Sequence, residues 1–304
     1  MTLQQLKYVI AVADHHSMSK AAQALYISQP SLSNAIKELE QEAGIHIFIR
    51  NNKGISVTEE GWEFLGYARQ VIEQAGLLER RYTGGDLPKK KFSVSTQHYY
   101  FAVNAFTDLV KHYGMDEYEF SIRETMTHKI IDDVRSMRSE IGVLYINSFN
   151  ERILSRQLSE SCLTFHELFC TKPHVSVYKK SPLAQRPDLS LQELADYPNL
   201  VFEQEDYKSF YYAEELISLP EHRQTIHVTD RSTMVKLIMS LNGFTVSTGI
   251  FDEGMSEEDI VAVPLKVDES IRIGTITNQS MVLSTVGQAY MDNLKKYIQS
   301  SAIV

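Results

Sequence analysis

The residues with the clearest chemical potential lie between Ser28 and Lys37, in the stretch SQPSLSNAIK. Leu32, Ala35, Ile36 and Leu39 recur at three- and four-residue spacing and so share one face of a helix. That leaves Pro30, Ser33, Asn34 and Lys37 projecting outward near the helix start, beside Ser28, Gln29 and Ser31. Small hydroxyl and amide side chains in such a row can approach base edges, and a lysine can reach a phosphate or a guanine. Ser28 is the expected N-cap, and Pro30 falls in the first turn, where its missing N–H costs nothing. An ordinary three-helix cluster with a polar outer face fits the same periodicity. Farther on, Arg50 and Lys53 sit at the tip of an expected hairpin formed by 47–49 and 55–57. They suit the phosphate backbone or the minor groove, and equally a solvated turn with two incidental cations.

A second set of candidates follows the expected strands of the later chain: Thr96-Gln97-His98, Thr125-Met126-Thr127, Phe202-Glu203 and Ser247-Thr248-Gly249. Ligands of open α/β sheets bind beyond the carboxyl ends of strands, where helix-start N–H groups are free. Hydroxyls and amides there suit an anionic or zwitterionic metabolite of amino-acid size, with Thr96, Gln97, His98, Thr125, Thr127, Phe202, Glu203 and Thr248 as the contacts. Capping or turn chemistry explains each residue singly as well. No nucleophile, base and orienting group converge, and neither G-x-x-x-x-G-K-[ST] nor G-x-G-x-x-G occurs, so neither an enzyme nor a cofactor is expected. Cys162 and Cys170 are too few for a disulfide framework and have no histidine constellation for zinc, so no metal is expected. A thiol-based redox sensor is the alternative they leave open. The acidic pairs Asp132-Asp133 and Glu214-Glu215, with the acidic stretches 203–206 and 257–259, read as solvated faces, helix starts or loops.

The elements that must position these residues fall into two or three domains over 304 residues. A net charge of −9 argues against nucleic acid for the chain as a whole, yet the first 58 residues carry five cations against four anions. There Leu3, Leu6, Val9, Ile10 and Ala13 form one stripe of a first helix ending near 14–16. Ser17 or Ser19 caps a second helix through Ala21, Ala22 and Leu25, and 26–28 turn into the third. Gly44 ends that helix. From 59 to 83, Phe64, Ala68, Val71, Ala75, Leu78 and Tyr82 alternate four- and three-residue steps, the seam of a two-stranded coiled coil. Self-association is one reading, and a helix packed on its own domain is the other. Gly84, Gly85 and Pro88 break the pattern, making 84–91 a hinge with a solvated lysine run.

Beyond residue 92, strand-like runs at 92–96, 120–123, 141–146, 200–203, 225–229, 244–248, 260–264 and 270–277 alternate with helical patterns at 102–113, 129–137, 191–194 and 285–299. This is an α/β arrangement with mostly parallel sheets expected. No apolar run approaches the ~20 residues of a membrane span, and no cleavable leader opens the chain, so a cytoplasmic protein without membrane contact is expected.

Ser19-x-Ala21-Ala22-x-x-Leu25, Ser28-Gln29-Pro30-Ser31-Leu32-Ser33, Ile36-x-x-Leu39-Glu40, Gly44, Phe48-x-Arg50 and Thr58-x-x-Gly61 together closely resemble the signature of LysR-type transcriptional regulators. Asn34 departs from the commoner arginine or glutamine and Ile47 from the usual leucine. The first change alters which bases are read, and the second preserves packing. A weaker similarity covers Ser181-Pro182-Leu183-Ala184 and 189–194, with Ser181 where histidine is frequent. The resemblance implies a winged helix-turn-helix over 1–58, a linker and dimerisation helix over 59–83, and an effector-binding domain over 92–304. That domain is two-lobed like a periplasmic binding protein, with lobe I at about 92–164 and 267–304 and lobe II at about 165–266. Implied partners are operator DNA, a small-molecule effector in the interlobe cleft, further copies of the chain as a dimer or tetramer, and RNA polymerase.

Overall fold

The computed structural model describes residues 1–51, 54–83, 89–204, 210–214, 222–250, 259–279 and 281–300. It divides into two compact units, Met1–Lys90 with Arg135–Arg138, and Lys91–Val134 with Ser139–Val304.

In the first unit, α1 (Leu3–His15) opens with a capping box. Gln5 N–H donates to Thr2 Oγ1, and Thr2 N–H donates to Gln5 Oε1. Its buried face is Leu6, Val9, Val12 and Ala13, whereas Leu3, expected on that stripe, is exposed at the free end of the helix. Ser17, the nearer of the two candidates, caps α2 (Met18–Ala24), and Ser28 caps α3 (Gln29–Ala43). Gly44 ends α3 in the left-handed region at φ 70°, where a side chain is strained. Leu32, Ile36 and Leu39 pack with Val9, Val12, Ala21 and Ile47 into one core. The wing is β1 (Phe48–Asn51) paired antiparallel with β2 (Gly54–Val57), Phe48 opposite Val57. β1 starts one residue later than expected, and its entry is tied to α3, since Ile47 and Phe48 N–H both donate to Glu40 Oε1, at 2.6 and 3.0 Å. α4 (Glu59–Thr83) then begins with Gly61 N–H on Thr58 Oγ1 at 2.9 Å. A Cβ on Gly61 would stand 2.3 Å from the carbonyl oxygen of Ile47, so only glycine permits this approach of helix to wing.

The second unit contains β3 (Lys90–Thr96), α5 (Tyr100–Tyr113), β4 (Tyr118–Glu124), α6 (Thr127–Arg135), β5 (Ile141–Asn147), α7 (Glu151–Glu160) and β6 (Leu163–Thr171). It continues through β7 (His174–Tyr178), β8 (Asn199–Phe202), β9 (Thr225–Val228), α8 (Arg231–Leu241), β10 (Phe244–Ser247), β11 (Ile260–Pro264), β12 (Ile271–Asn278) and α9 (Thr285–Ser300). Two five-stranded sheets result, ordered β4-β3-β5-β12-β6 and β11-β7-β10-β8-β9. They are mixed, which corrects the expectation of mostly parallel sheets. β3 runs parallel to β5, and β8 to both its neighbours, but β12 is antiparallel to β5 and β6, and β7 to β10 and β11. The cause is a double crossing: the chain enters the second sheet after Thr171 and returns through β12, which inserts between strands laid down earlier.

The expected lobe switch at 164/165 therefore falls inside β6, whose strand up to Thr171 pairs with β12 in the first sheet. The helix expected at 191–194 is instead a run of turns, closed by Ser190 N–H and Oγ on Glu193 Oε2, both at 2.9 Å. The backbone closes in three-residue steps, with Glu193, Leu194 and Ala195 N–H donating to Ser190, Leu191 and Gln192 O, so a helix-start contact is present without a helix following it. In the first lobe, Phe92, Phe101, Leu109 and Tyr290 fill the space between sheet and helices. The buried Tyr290 hydroxyl donates to Ala102 O at 3.1 Å, and burial pushes its phenol pKa well up.

Candidate functional site

On α3 the inward leucines and isoleucine set the helix's rotation, and the opposite side carries the candidate reading residues. Ser28, Gln29, Pro30, Ser31, Asn34 and Lys37 are exposed, and Ser33 is half-buried. Ser28 Oγ accepts from Ser31 N–H at 3.2 Å and pairs with Ser31 Oγ at 2.7 Å, which fixes the first turn. The Arg50 backbone lies opposite Ile55 in the wing. Lys53 and the Arg50 side chain lie outside the described residues.

The α4 seam is divided. Phe64 packs against the core of its own unit and Ala68 is buried, whereas Ala75 is half-buried and Val71, Leu78 and Tyr82 are 46%, 62% and 77% exposed. Tyr67, also exposed, extends the same apolar stripe by one turn. Such a stripe on a helix is costly to leave in water and suits burial against another copy.

The second unit holds a cavity of about 90 Å³ at the carboxyl ends of β3 and β8, roofed by α8. At roughly 10–15 Å³ per water, that is room for about six to nine waters, the heavy-atom count of an amino-acid-sized molecule. Of the expected ligand residues, Gln97, His98, Phe202 and Thr248 line it. Thr96, Thr125, Thr127 and Glu203 do not. Thr96 is fully buried with its hydroxyl on Gln97 O, Thr125 N–H donates to Thr96 O at 2.9 Å, and Glu203 is exposed with its N–H on Val228 O. Thr127 stands one layer back, accepting from Gln97 Nε2 at 2.6 Å. Gln97 Oε1 in turn accepts from Tyr99 Oη at 2.7 Å and Tyr145 N–H at 3.1 Å, so the Gln97 side chain is held from both ends. Burial pushes the Tyr99 phenol pKa well up, with Tyr145 and Glu214 adding to it, so Tyr99 stays a donor to Gln97.

Residues the sequence did not single out complete the cavity. His98 lies flat on Phe202, ring centres 3.7 Å apart and 6° from parallel, and donates to Glu214 Oε2 from Nδ1 at 2.7 Å and from its N–H at 3.3 Å. Glu214, in an acidic pair read as a solvated face, a helix start or a loop, lies in a loop with its side chain only 5% exposed. Arg231, at the start of α8, places its guanidinium 4.0 Å from the centre of the Tyr100 ring and pairs with Glu124. Met234, Val235 and Ile238 of α8 supply an apolar wall, and Ser176 and Ser247 hydroxyls, 2.7 Å apart, a polar floor. Asp230 caps α8 by accepting Thr233 N–H at 2.9 Å, which lowers its carboxyl pKa. That Asp-x-x-Thr pattern after a strand was the available signal for α8 and hence for Arg231.

Cys162 and Cys170 are free and exposed, at opposite ends of β6. Eight residues of extended chain separate them by about 25 Å, far beyond the ~7 Å Cα separation a disulfide allows, so they cannot pair within one chain.

One unit thus carries a capped helix-turn-helix with a wing, and the other a cleft between two mixed sheets. The family profile described as "Bacterial regulatory helix-turn-helix protein, lysR family" matches residues 3–62. Among curated relatives, an uncharacterized HTH-type transcriptional regulator, YnfL, of Escherichia coli is 27% identical over 206 residues, covering 66% of this chain and 65% of that protein. The HTH-type transcriptional regulator TcbR of a Pseudomonas species is 41% identical over 76 residues, 25% of this chain and 26% of its own length. The chain thus spans less than two thirds of the length of these relatives. Among solved structures, a full-length OxyR variant from Pseudomonas aeruginosa superposes with a TM-score of 0.60 at 20% identity, covering 100% of this chain and 96% of that one, a likeness of fold. The match to the lysR-family helix-turn-helix profile thus rests on residues 3–62, and the likeness over the rest of the chain is one of fold.

Proposed function

We propose that the protein regulates transcription by binding operator DNA through residues 1–58 and adjusts that binding when a small metabolite enters the cleft of its second unit. The observation that carries this reading is the exposed row Gln29, Pro30, Ser31, Asn34 and Lys37 on the first turns of a capped α3, with a wing beside it. A recognition helix enters the major groove by its N-terminal residues, and wing cations meet phosphates or the minor groove. Ser28, Ser33, Arg50 and Lys53 complete the proposed contact set. The exposed α4 stripe supports a dimer through 59–83, which sets two reading heads on a two-part site. A tetramer of two such dimers and contact with RNA polymerase in the cytoplasm extend the same reading, with the expected hinge cut back to the stretch before β3, which begins at Lys90, and 92–304 as the effector-binding module.

The test is a DNase footprint of the full-length protein on the promoter beside its gene and on genome fragments selected by binding, at fixed salt. A two-part protected site that weakens in Ser33→Ala/Asn34→Ala is expected. A folded protein that selects no fragment overturns the DNA-binding reading.

A further inference from the structure

We propose that the cleft takes a small molecule bearing a protonated amine, received by Glu214 Oε1, with an apolar body against α8; this rests on the reading of the cleft as the effector site. Glu214 lines the cavity with its side chain 95% buried. Its two oxygens are unequally served. Oε2 accepts from both Nδ1 and the backbone N–H of His98, whereas Oε1 is buried and meets no hydrogen-bond donor among the described residues. A buried carboxylate oxygen left without a donor forfeits its full hydration, so a group that donates to it while carrying positive charge recovers the most.

Charge selects the same class. The one lysine or arginine among the described lining residues is Arg231, already paired with Glu124 and seated on Tyr100, and the lining histidine, His98, is already engaged by Glu214 Oε2. An anion entering the cavity therefore meets a buried carboxylate without an unpaired cation to offset it, whereas an ammonium meets its counter-charge. The remaining wall of Met234, Val235, Ile238 and Ile260 accepts an aliphatic group. This narrows the anionic or zwitterionic metabolite expected from sequence to an amine-bearing one, and excludes a plain carboxylic acid.

Glu214 is also held firmly enough to act as a selector. Although it lies between β8 and β9 of the second sheet, its neighbours grip the first lobe. Tyr211 stacks on Phe149 at 4.8 Å, Tyr212 meets the edge of His128, and Ala213 O accepts from Tyr145 Oη at 2.9 Å. A carboxylate positioned by three such contacts discriminates by geometry as well as by charge.

The experiment is calorimetric titration of the full-length protein with three probes of matched apolar size: isoamylamine, L-leucine and 4-methylpentanoate. Both amines are expected to bind and the acid not. Glu214→Gln is expected to weaken the amines by about tenfold or more, the scale of a lost charged hydrogen bond. Ile238→Trp, which fills the cavity, abolishes binding. Acid binding as tight as amine binding, or no binding by either amine, overturns the proposal on the unaltered chain whether or not a variant folds. Amine binding that survives Glu214→Gln but not Ile238→Trp sinks the role of Glu214 and keeps the cleft. Binding that survives both sinks the effector-site reading itself.

Discussion

Glu40 ties α3 to the wing, and removing its carboxylate tests whether that tie supports the fold of the first unit. In Glu40→Ala two amides lose their acceptor: Ile47 N–H, on a fully buried residue, and Phe48 N–H, on a half-buried one. An unsatisfied buried donor costs about 1–3 kcal/mol, and the half-buried one recovers part of that from water, so a loss of about 2–4 kcal/mol is expected. Glu40→Gln keeps an acceptor oxygen without its charge. Neutral hydrogen bonds have roughly half the strength of charge-assisted ones, which sets its cost at about 1 kcal/mol. The chain has one tryptophan, Trp62 on α4, packed against the core of the first unit, so its fluorescence during urea unfolding reports on this unit. With an m-value of roughly 1–2 kcal/mol per M, the Glu40→Ala midpoint falls by about 1–2 M or more, and that of Glu40→Gln by about half as much or less. An unchanged midpoint in Glu40→Ala refutes the reasoning, because the two contacts would then contribute nothing net.

Gly61→Ala drives a methyl to 2.3 Å from a backbone carbonyl and is expected to cost about 1–3 kcal/mol or more, read by the same fluorescence. Leu78→Lys, in the middle of the exposed α4 stripe, is expected to shift sedimentation toward monomer without changing the circular dichroism of the chain; a sedimentation coefficient equal to that of the unaltered protein counts against the α4 dimer. Burial lowers the His174 pKa, against a smaller opposing pull from the Lys172 carbonyl. The unfolded chain therefore binds the proton first, and stability falls as pH drops through about 6.5 while remaining flat above it. His174→Gln removes that portion of the decline, and superimposable stability-versus-pH curves for the two proteins would exclude it.

The first unit was readable residue by residue because local rules act there without competition. Ser17, Ser28 and Gly44 are caps, and the leucines of α3 lie on a single stripe. The second unit was readable in its elements but less so in its connections. Strand propensity locates β5 and β12, yet nothing local indicates that β12 inserts between β5 and β6 antiparallel to both. At 191–194 the Ser190–Glu193 contact is the kind that starts a helix, yet the backbone closes in successive three-residue turns, which the local pattern does not distinguish from a helix. The cleft was half legible. Gln97, His98, Phe202 and Thr248 follow from the rule that ligands sit past strand ends, a rule that speaks only for sequence positions next to strands. Glu214 lies in a loop between β8 and β9, where acidity reads as solvation, and only the tertiary contacts of Tyr211, Tyr212 and Ala213 show that it is buried.

The late arrival of β12 bears on how the chain is made. Vectorial synthesis delivers β3 to β6 long before residues 271–278, so the place between β5 and β6 in the first sheet stays vacant while the whole second sheet emerges from the ribosome. The second sheet, from β7 to β11, is continuous in the chain and can close first, with His174 and Pro264 already side by side in its register. The nascent first lobe meanwhile exposes the unpaired edges of β5 and β6, the kind of template that invites intermolecular pairing. Stalling translation just before residue 271 should therefore leave a product that engages chaperones or aggregates, whereas release past residue 278 lets the missing strand zip both edges closed.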